Sequence, residues 1–220
     1  VTLDGIGTKS GAANTSWGVT SIDVNAFETV NIASTKNTVA TTAANGSTAA
    51  VAIGGVTLNT LDLLTVSGTT KTVNLTGAAA LTVTDIAGAV MTSLDASAMT
   101  GAFIGTLSVA DDLVVKLPAT VSSTINFGAL LNNKDSVTGG TGTADVVTGT
   151  VTGLLASTGA LTISAVEKVN LTTSGDNTLN LVGVTGATTV QVTDNVQTIS
   201  GLDLSTTIHL NGAATLSEID

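Results

Sequence analysis

The sequence predicts an all-β chain, a parallel β-solenoid (β-helix or β-roll) of short, irregular rungs. Three observations predict it. The core-forming material is small and branched: 43% of the chain is hydrophobic but aromatics make up only 2%, with three Phe, one Trp and no Tyr. Such side chains suit a thin core one or two side chains wide better than the thick core of a sandwich. Apolar-x-apolar triplets recur along the chain, separated by Gly, Ser, Thr and Asn clusters that read as turns. A glycine-rich segment near the middle alternates glycines with Asp-x-Val. The competing architecture is a set of antiparallel β-sandwich domains, since short strands at regular spacing serve both. Against it, tight hairpin signals are scarce, Asn45-Gly46 and Asn211-Gly212 among them.

Taken in order, the chain opens with short apolar pairs and Trp17, its one tryptophan, and then Phe27-Glu28-Thr29-Val30-Asn31-Ile32 alternates as a strand does. Residues 33–50 are rich in Thr, Ala, Asn and Ser and read as a polar strand pair or an exposed loop. Triplets follow at Val51-Ala52-Ile53, Val56-Thr57-Leu58, Leu64-Thr65-Val66, Val73-Asn74-Leu75, Leu81-Thr82-Val83 and Leu107-Ser108-Val109. Between them Ile86, Val90, Leu94 and Ala98 stand four apart, the spacing of a helical turn. Late in the chain Val169-Asn170-Leu171, Leu179-Asn180-Leu181, Val190-Gln191-Val192 and Ile208-His209-Leu210 follow one another, the first three at near-even steps and the last after a gap about twice as long. A further strand around Ile199 divides that gap, so a short strand plus a turn of nine to eleven residues reads as one stacked rung. If each apolar pair faces the core, Asn170, Asn180, Gln191 and His209 line the outer face.

The glycine-rich segment runs Asn133-Lys134-Asp135-Ser136-Val137-Thr138-Gly139-Gly140-Thr141-Gly142-Thr143-Ala144-Asp145-Val146-Val147-Thr148-Gly149. It resembles the unit G-G-x-G-x-D-x-U-x of the calcium-binding β-roll, with U a large apolar residue. One extra residue separates the aspartates relative to that nine-residue unit, and Asn133-Lys134 replaces the small residues of a preceding unit. On these residues the chain resembles the repeats-in-toxin (RTX) proteins, specifically the structural branch of surface-layer and adhesin-like proteins exported by the type I route. The resemblance implies a secreted or cell-surface location. It also implies a Ca²⁺ site of Asp135, Gly139, Gly140, Gly142 and Asp145, in which carboxylates one rung apart converge with glycine carbonyls turned inward. Asp111-Asp112, adjacent carboxylates after a strand, are candidates for a second calcium site or for an intermolecular one. The expected domains are an N-terminal β lobe over residues 1–131, the glycine-rich segment over 132–149 and a C-terminal lobe over 150–220, possible as one continuous domain or as part of a longer chain.

Composition narrows the function. Lys+Arg total 6 against Asp+Glu 16, a net charge of −10, which opposes nucleic acid as a partner and favours divalent cations. No apolar run reaches the ~18 residues of a membrane span. There is no Cys, Tyr or Arg, and His209 is the one histidine, so the usual set of nucleophiles, acids and anion clamps is nearly empty. Glu28 and Glu167 lie far apart in the sequence and carry no sign of meeting as a glycosidase pair. Asp23, Asp95 and Asp203 share an apolar-Asp-x-Ser/Asn phrase that reads as a recurring turn. The expected function is therefore structural and not enzymatic: a self-assembling subunit of a surface layer, sheath or fibre, stabilised by calcium. Its partners are copies of itself, calcium and a cell-surface polysaccharide. The rivals are an adhesin or passenger stalk, which needs an exposed cluster among Trp17, Phe27, Phe103 and Phe127, and a polysaccharide-degrading β-helix enzyme.

Overall fold

A computed structural model describes residues 2–4, 18–25, 27–35, 40–41, 51–52, 58–109, 112–151, 161–173, 177–193, 196–203, 205–211 and 218–219. In chain order the strands begin with β1 (Thr2–Asp4), β2 (Gly18–Asn25), β3 (Thr29–Thr35), β4 (Ala40–Thr41), β5 (Val51–Ala52), β6 (Leu58–Ser67), β7 (Thr72–Gly77) and β8 (Ala80–Gly88). They continue with β9 (Ser93–Met99), β10 (Phe103–Val109), β11 (Val114–Lys116), β12 (Thr124–Asn126), β13 (Ser136–Thr138), β14 (Val146–Val151) and β15 (Thr162–Ser164). The remainder are β16 (Lys168–Thr173), β17 (Asn177–Asn180), β18 (Val184–Thr185), β19 (Thr189–Thr193), β20 (Val196–Ser200), β21 (Thr207–Asn211) and β22 (Glu218–Ile219).

From β6 to β16 the chain crosses at every step between two sheets. One has eight strands in the order β1-β3-β7-β9-β11-β13-β15-β18, the other nine in the order β2-β6-β8-β10-β12-β14-β16-β19-β21. A three-stranded sheet, β17-β20-β22, adds a third side late in the chain. All pairs described in these three sheets are parallel, which makes the fold a parallel β-solenoid and removes the antiparallel sandwich from consideration. The one antiparallel pair described is β4 with β5, across a stretch (42–50) that includes Asn45-Gly46 and lies outside the described residues. Both large sheets run without a break through residues 132–149.

The true period is longer than the sequence spacing suggests. Thr124 pairs with Val146 and Val146 with Lys168, and the side-chain bonds that link these same rungs at their corner span 22 residues. A parallel neighbour is reached only after the chain has gone round and returned to the same sheet. The shorter spacing read from the triplets is thus half a rung: Val169-Asn170-Leu171 stands in the nine-stranded sheet, whereas Leu179 and Asn180 stand in the third sheet. Triplets one full rung apart do stack in register, Val169 with Val190 and Val190 with Ile208. The expected helical turn is also replaced by strands. Ile86 lies in β8 and Leu94 in β9, both fully buried, with Val90 in the turn between. The spacing arises here because a strand end, a turn and a strand start together span the eight-residue step from Ile86 to Leu94, two steps of four.

Register builds the core as columns. In the eight-stranded sheet Val30, Val73, Leu94, Val115, Val137, Ile163 and Val184 stack directly on one another, all buried. In the nine-stranded sheet the facing column is Leu61, Val83, Gly105, Ile125, Val147, Val169 and Val190. Gly105 interrupts it because the Phe103 ring occupies the space: a Cβ there would lie 2.5 Å from Phe103 Cζ. β-branched side chains pack well on a pleated surface, which is why so small a residue set closes this core. Outside, like stacks on like: Asn74 Nδ2 donates to Asn31 Oδ1 at 2.9 Å. Opposite charges pair there too, with Lys116 Nζ 3.4 Å from Asp95 Oδ2 one rung away. Among the described residues no helix is long and apolar enough to cross a membrane.

The columns predict unequal sensitivity on the two faces of one sheet. Leu94→Ala should lower stability by about 2–5 kcal/mol, the usual cost of emptying a well-packed site. Thr138→Ala, on the exposed face of the same sheet, should stay within ~0.5 kcal/mol. Denaturant midpoints of the two variants provide the check, and equal effects would contradict the inward and outward assignment.

Candidate functional site at the glycine-rich corner

The glycine-rich segment forms one rung of the stack, and its two aspartates head strands of different sheets. Asp135 precedes β13 in the eight-stranded sheet, and Asp145 precedes β14 in the nine-stranded one. Both are buried, at 3% and 0% exposure. Each carboxylate is engaged by two main-chain amides, one within its own turn and one from the rung before. Asp135 Oδ1 accepts from Leu113 N and Oδ2 from Asn132 N, both at 2.8 Å. Asp145 Oδ1 accepts from Ser123 N at 2.8 Å and Oδ2 from Gly140 N at 3.0 Å. Bonds to an ionised acceptor are the stronger kind, and here they satisfy corner amides that turn away from the ladder.

Asp145 is one member of a relay along this corner. Phe103 N donates to Ser123 Oγ at 3.0 Å, Ser123 N to Asp145 Oδ1, and Asp145 N to Glu167 Oε2 at 2.8 Å. Each corner amide is thus taken by a side chain one rung later. Beyond this the pattern passes to the backbone, where the Glu167 carbonyl accepts from Thr188 N and Thr189 N. Burial pushes the Asp145 carboxyl above its ordinary value of 3.8, against the pull of the Gly140 and Ser123 amides, and the neighbouring Glu167 pushes the same way. Asp135 is raised likewise by burial, against the Asn132 and Leu113 amides, with Asp112 adding to the rise.

The glycines serve close approach between rungs. Gly139, Gly140 and Gly142 are absent from the positive-φ glycines, so a barred backbone conformation is not what they supply. A Cβ on Gly139 would sit 1.8 Å from Ala165 O, one on Gly140 2.4 Å from Pro118 O, and one on Gly142 3.0 Å from Val121 C. Ala165 itself has φ 52°, an uncommon value for a residue with a side chain, and lies between Gly139 on one rung and Gly186 on the next.

The expected calcium cage needs Asp135 and Asp145 to converge on one ion, and the residues do not fit that arrangement. The two carboxylates occupy different corners, and each has both oxygens engaged by amides. Among the described residues no group of three or more His, Cys, Asp or Glu side chains converges as metal ligands do. Asp111 lies outside the described residues. Asp112 is exposed and pairs with Lys134 Nζ at 3.4 Å, a surface ion pair of little energetic weight.

Other expectations are placed as follows. His209 is exposed in β21 and stacks on Gln191, which stacks on Asn170, so the outward column holds for these three. The apolar-Asp-x-Ser phrase makes the same local bonds at Asp95 and Asp203: Ser97 N and Oγ donate to Asp95 Oδ1 at 2.9 and 2.6 Å, and Ser205 N and Oγ to Asp203 Oδ1 at 2.9 and 2.9 Å. Only Asp203 stands at a turn, however, since Asp95 and Ser97 lie within β9 and Asp23 within β2. The aromatic cluster of an adhesin does not form from the described residues, because Phe103 and Phe127 are core residues and only Phe27 is exposed. Trp17 lies outside them. Sequence reasoning alone does not bring Ser123 and Glu167 to this corner. The signal that finds them is the rung length itself, because Ser123 and Asp145, and again Asp145 and Glu167, are 22 residues apart.

No family model matches the chain, and comparison with curated proteins and with solved structures returns no match. What stands on the geometry is the parallel β-solenoid fold, without assignment to the RTX or surface-layer families.

The relay predicts a pH signature. Asp145→Asn keeps the shape but turns an amide donor toward a main-chain donor, and should lower stability at neutral pH by about 1–3 kcal/mol, the cost of a buried unsatisfied group. Because the folded-state carboxyl is raised, the folded chain binds more protons than the unfolded one between 3.8 and its elevated value. Stability from this group therefore grows as the pH falls through that window and is lost as the pH rises through it. The gap between wild type and Asp145→Asn should widen on going from neutral pH toward the ordinary carboxyl value. Melting curves across that range check it, and a narrowing gap would contradict the assignment.

Proposed function

We propose that the chain is a structural subunit of a secreted, self-assembling surface layer, sheath or extracellular fibre, and that it is not an enzyme. The observation that carries this reading is how the corner acids are used. Asp135, Asp145 and Glu167 accept main-chain N–H bonds at the corners of the stack. Acids used in this way make a rod rigid rather than a cleft reactive.

Assembly follows from the physics of sheet edges. A strand at a sheet edge presents unpaired amides and carbonyls, and β proteins that stay monomeric blunt such edges with lysine and proline. This chain has six Lys and one Pro in 220 residues. Its net charge of −10 keeps copies apart at low ionic strength, and divalent ions screen or bridge the acidic faces. Calcium enters this reading between copies, and the resemblance to the structural RTX branch supports a surface location with polysaccharide nearby.

Negative-stain imaging and light scattering across a calcium titration test the proposal. Ordered sheets, tubes or filaments should form as calcium rises, with magnesium less effective because it sheds its water reluctantly. A protein that stays monomeric at high concentration in calcium would overturn it.

A further inference from the structure

The two edges of the nine-stranded sheet, among the described residues, are β2 and β21. They differ in spacing. In β2 the partners of the core residues Leu61 and Leu64 are Val19 and Ile22, three positions apart. In β21 the partners of the core residues Val190 and Val192 are Ile208 and Leu210, two positions apart. A three-spaced strand meeting a two-spaced one needs a bulge, and the sheet already contains that joint. In β8, Val83 and Ile86 stand three apart, and they pair with Gly105 and Leu107 of β10, two apart, with the register shifting between them. The chain thus carries the template for joining one of its edges to the other.

The β21 edge also has apolar surface left over. Val190 and Val192 are fully buried, whereas Leu210, next in the Val192 column, is 40% exposed and Ile208 is half-buried. At the other edge Ile22 is half-buried while Leu64, its partner, is fully buried.

We propose that a second copy of this chain is the occupant of this edge, joining head to tail so that β2 of one copy extends the nine-stranded sheet beyond β21 of the other. Continuing the columns places Val19 against Ile208 and Ile22 against Leu210, with the bulge at Thr20 and Ser21. On the outer face Asp23 then falls opposite Asn211, an amide able to donate to the carboxylate, so no like charges meet. A head-to-tail contact is heterologous and repeats without closing, which yields a filament. This inference rests on the self-assembly reading and specifies its joint.

Disulfide trapping tests it on the whole chain, which has no cysteine of its own. Asp23 and Asn211 are both exposed and stand at opposite edges of a nine-stranded sheet, roughly eight strand spacings of ~4.8 Å apart. No bridge within one copy can join them, since a disulfide needs Cα atoms within about 7 Å. Under assembling conditions, mild oxidation of the Asp23→Cys/Asn211→Cys variant should convert monomer into a ladder of covalent multimers that collapses on reduction. The displaced variant Asp23→Cys/Thr207→Cys should stay monomeric on the same gel. A ladder from the displaced variant alone would overturn the register. Filaments on the grid with no ladder from either variant would overturn this joint while leaving self-assembly standing. Monomer on both the grid and the gel would overturn the joint and the self-assembly reading together.

Discussion

The structure depends on one constraint: in a parallel stack every strand must find its hydrogen-bonding partner a full rung away. In the nine-stranded sheet beyond Leu58 that distance is held nearly constant, from the pairing of Leu58 with Ala80 to that of Val146 with Lys168, and it shortens a little where Thr189 meets Thr207. Much longer steps occur where extra chain is accommodated between rungs, as between Ile22 and Leu64, whose connection carries the antiparallel β4–β5 pair. Once register is held, chemistry repeats vertically. Aliphatic columns form inside because valine stacks on valine, and polar ladders form outside because asparagine stacks on asparagine.

Corners are where this constraint is hardest to meet. Between strands the backbone turns out of the ladder, and its amides lose the partner that the next strand would have given. The chain answers in two ways. Where rungs approach closely it removes the side chain, as at Gly139 against Ala165 and Gly140 against Pro118. Where an amide remains it supplies an acceptor from the following rung, as Asp145 does for Ser123 and Asp135 for Leu113. The result links sequence to rigidity directly, since each bond ties two rungs that are 22 residues apart.

Much of the fold was legible in the sequence because it rests on local pattern. Triplets such as Val169-Asn170-Leu171 report which side chains face inward, and a paucity of aromatics reports a thin core. The period was not legible in the same way. Strands of different sheets look alike in sequence, so Leu179-Asn180-Leu181 reads as the next rung when it forms another side of the same one. Ile86 to Ala98 mimics a helix because the turn at Val90 happens to set the inward Ile86 and Leu94 eight apart, two steps of four, while Ala98 faces outward. At the corner, the glycines and aspartates of residues 133–149 stand out as special for sound reasons, yet glycine permits close approach as well as unusual φ. A buried carboxylate accepts an amide as readily as it binds a cation. Ser123 and Glu167 become meaningful only once the rung length sets them beside Asp145.

The central claim is that buried corner carboxylates hold successive rungs by their amides, and site-resolved hydrogen exchange tests it most directly. The account predicts that the amides of Ser123 and Leu113 belong to the slow-exchanging class in the wild-type chain, level with the core strands on either side. Removing one acceptor, by Asp145→Ala, should release Ser123 while leaving Leu113, held by Asp135, protected. A Ser123 amide that exchanges freely in the wild-type protein, or one that stays protected when Asp145 is gone, would contradict it.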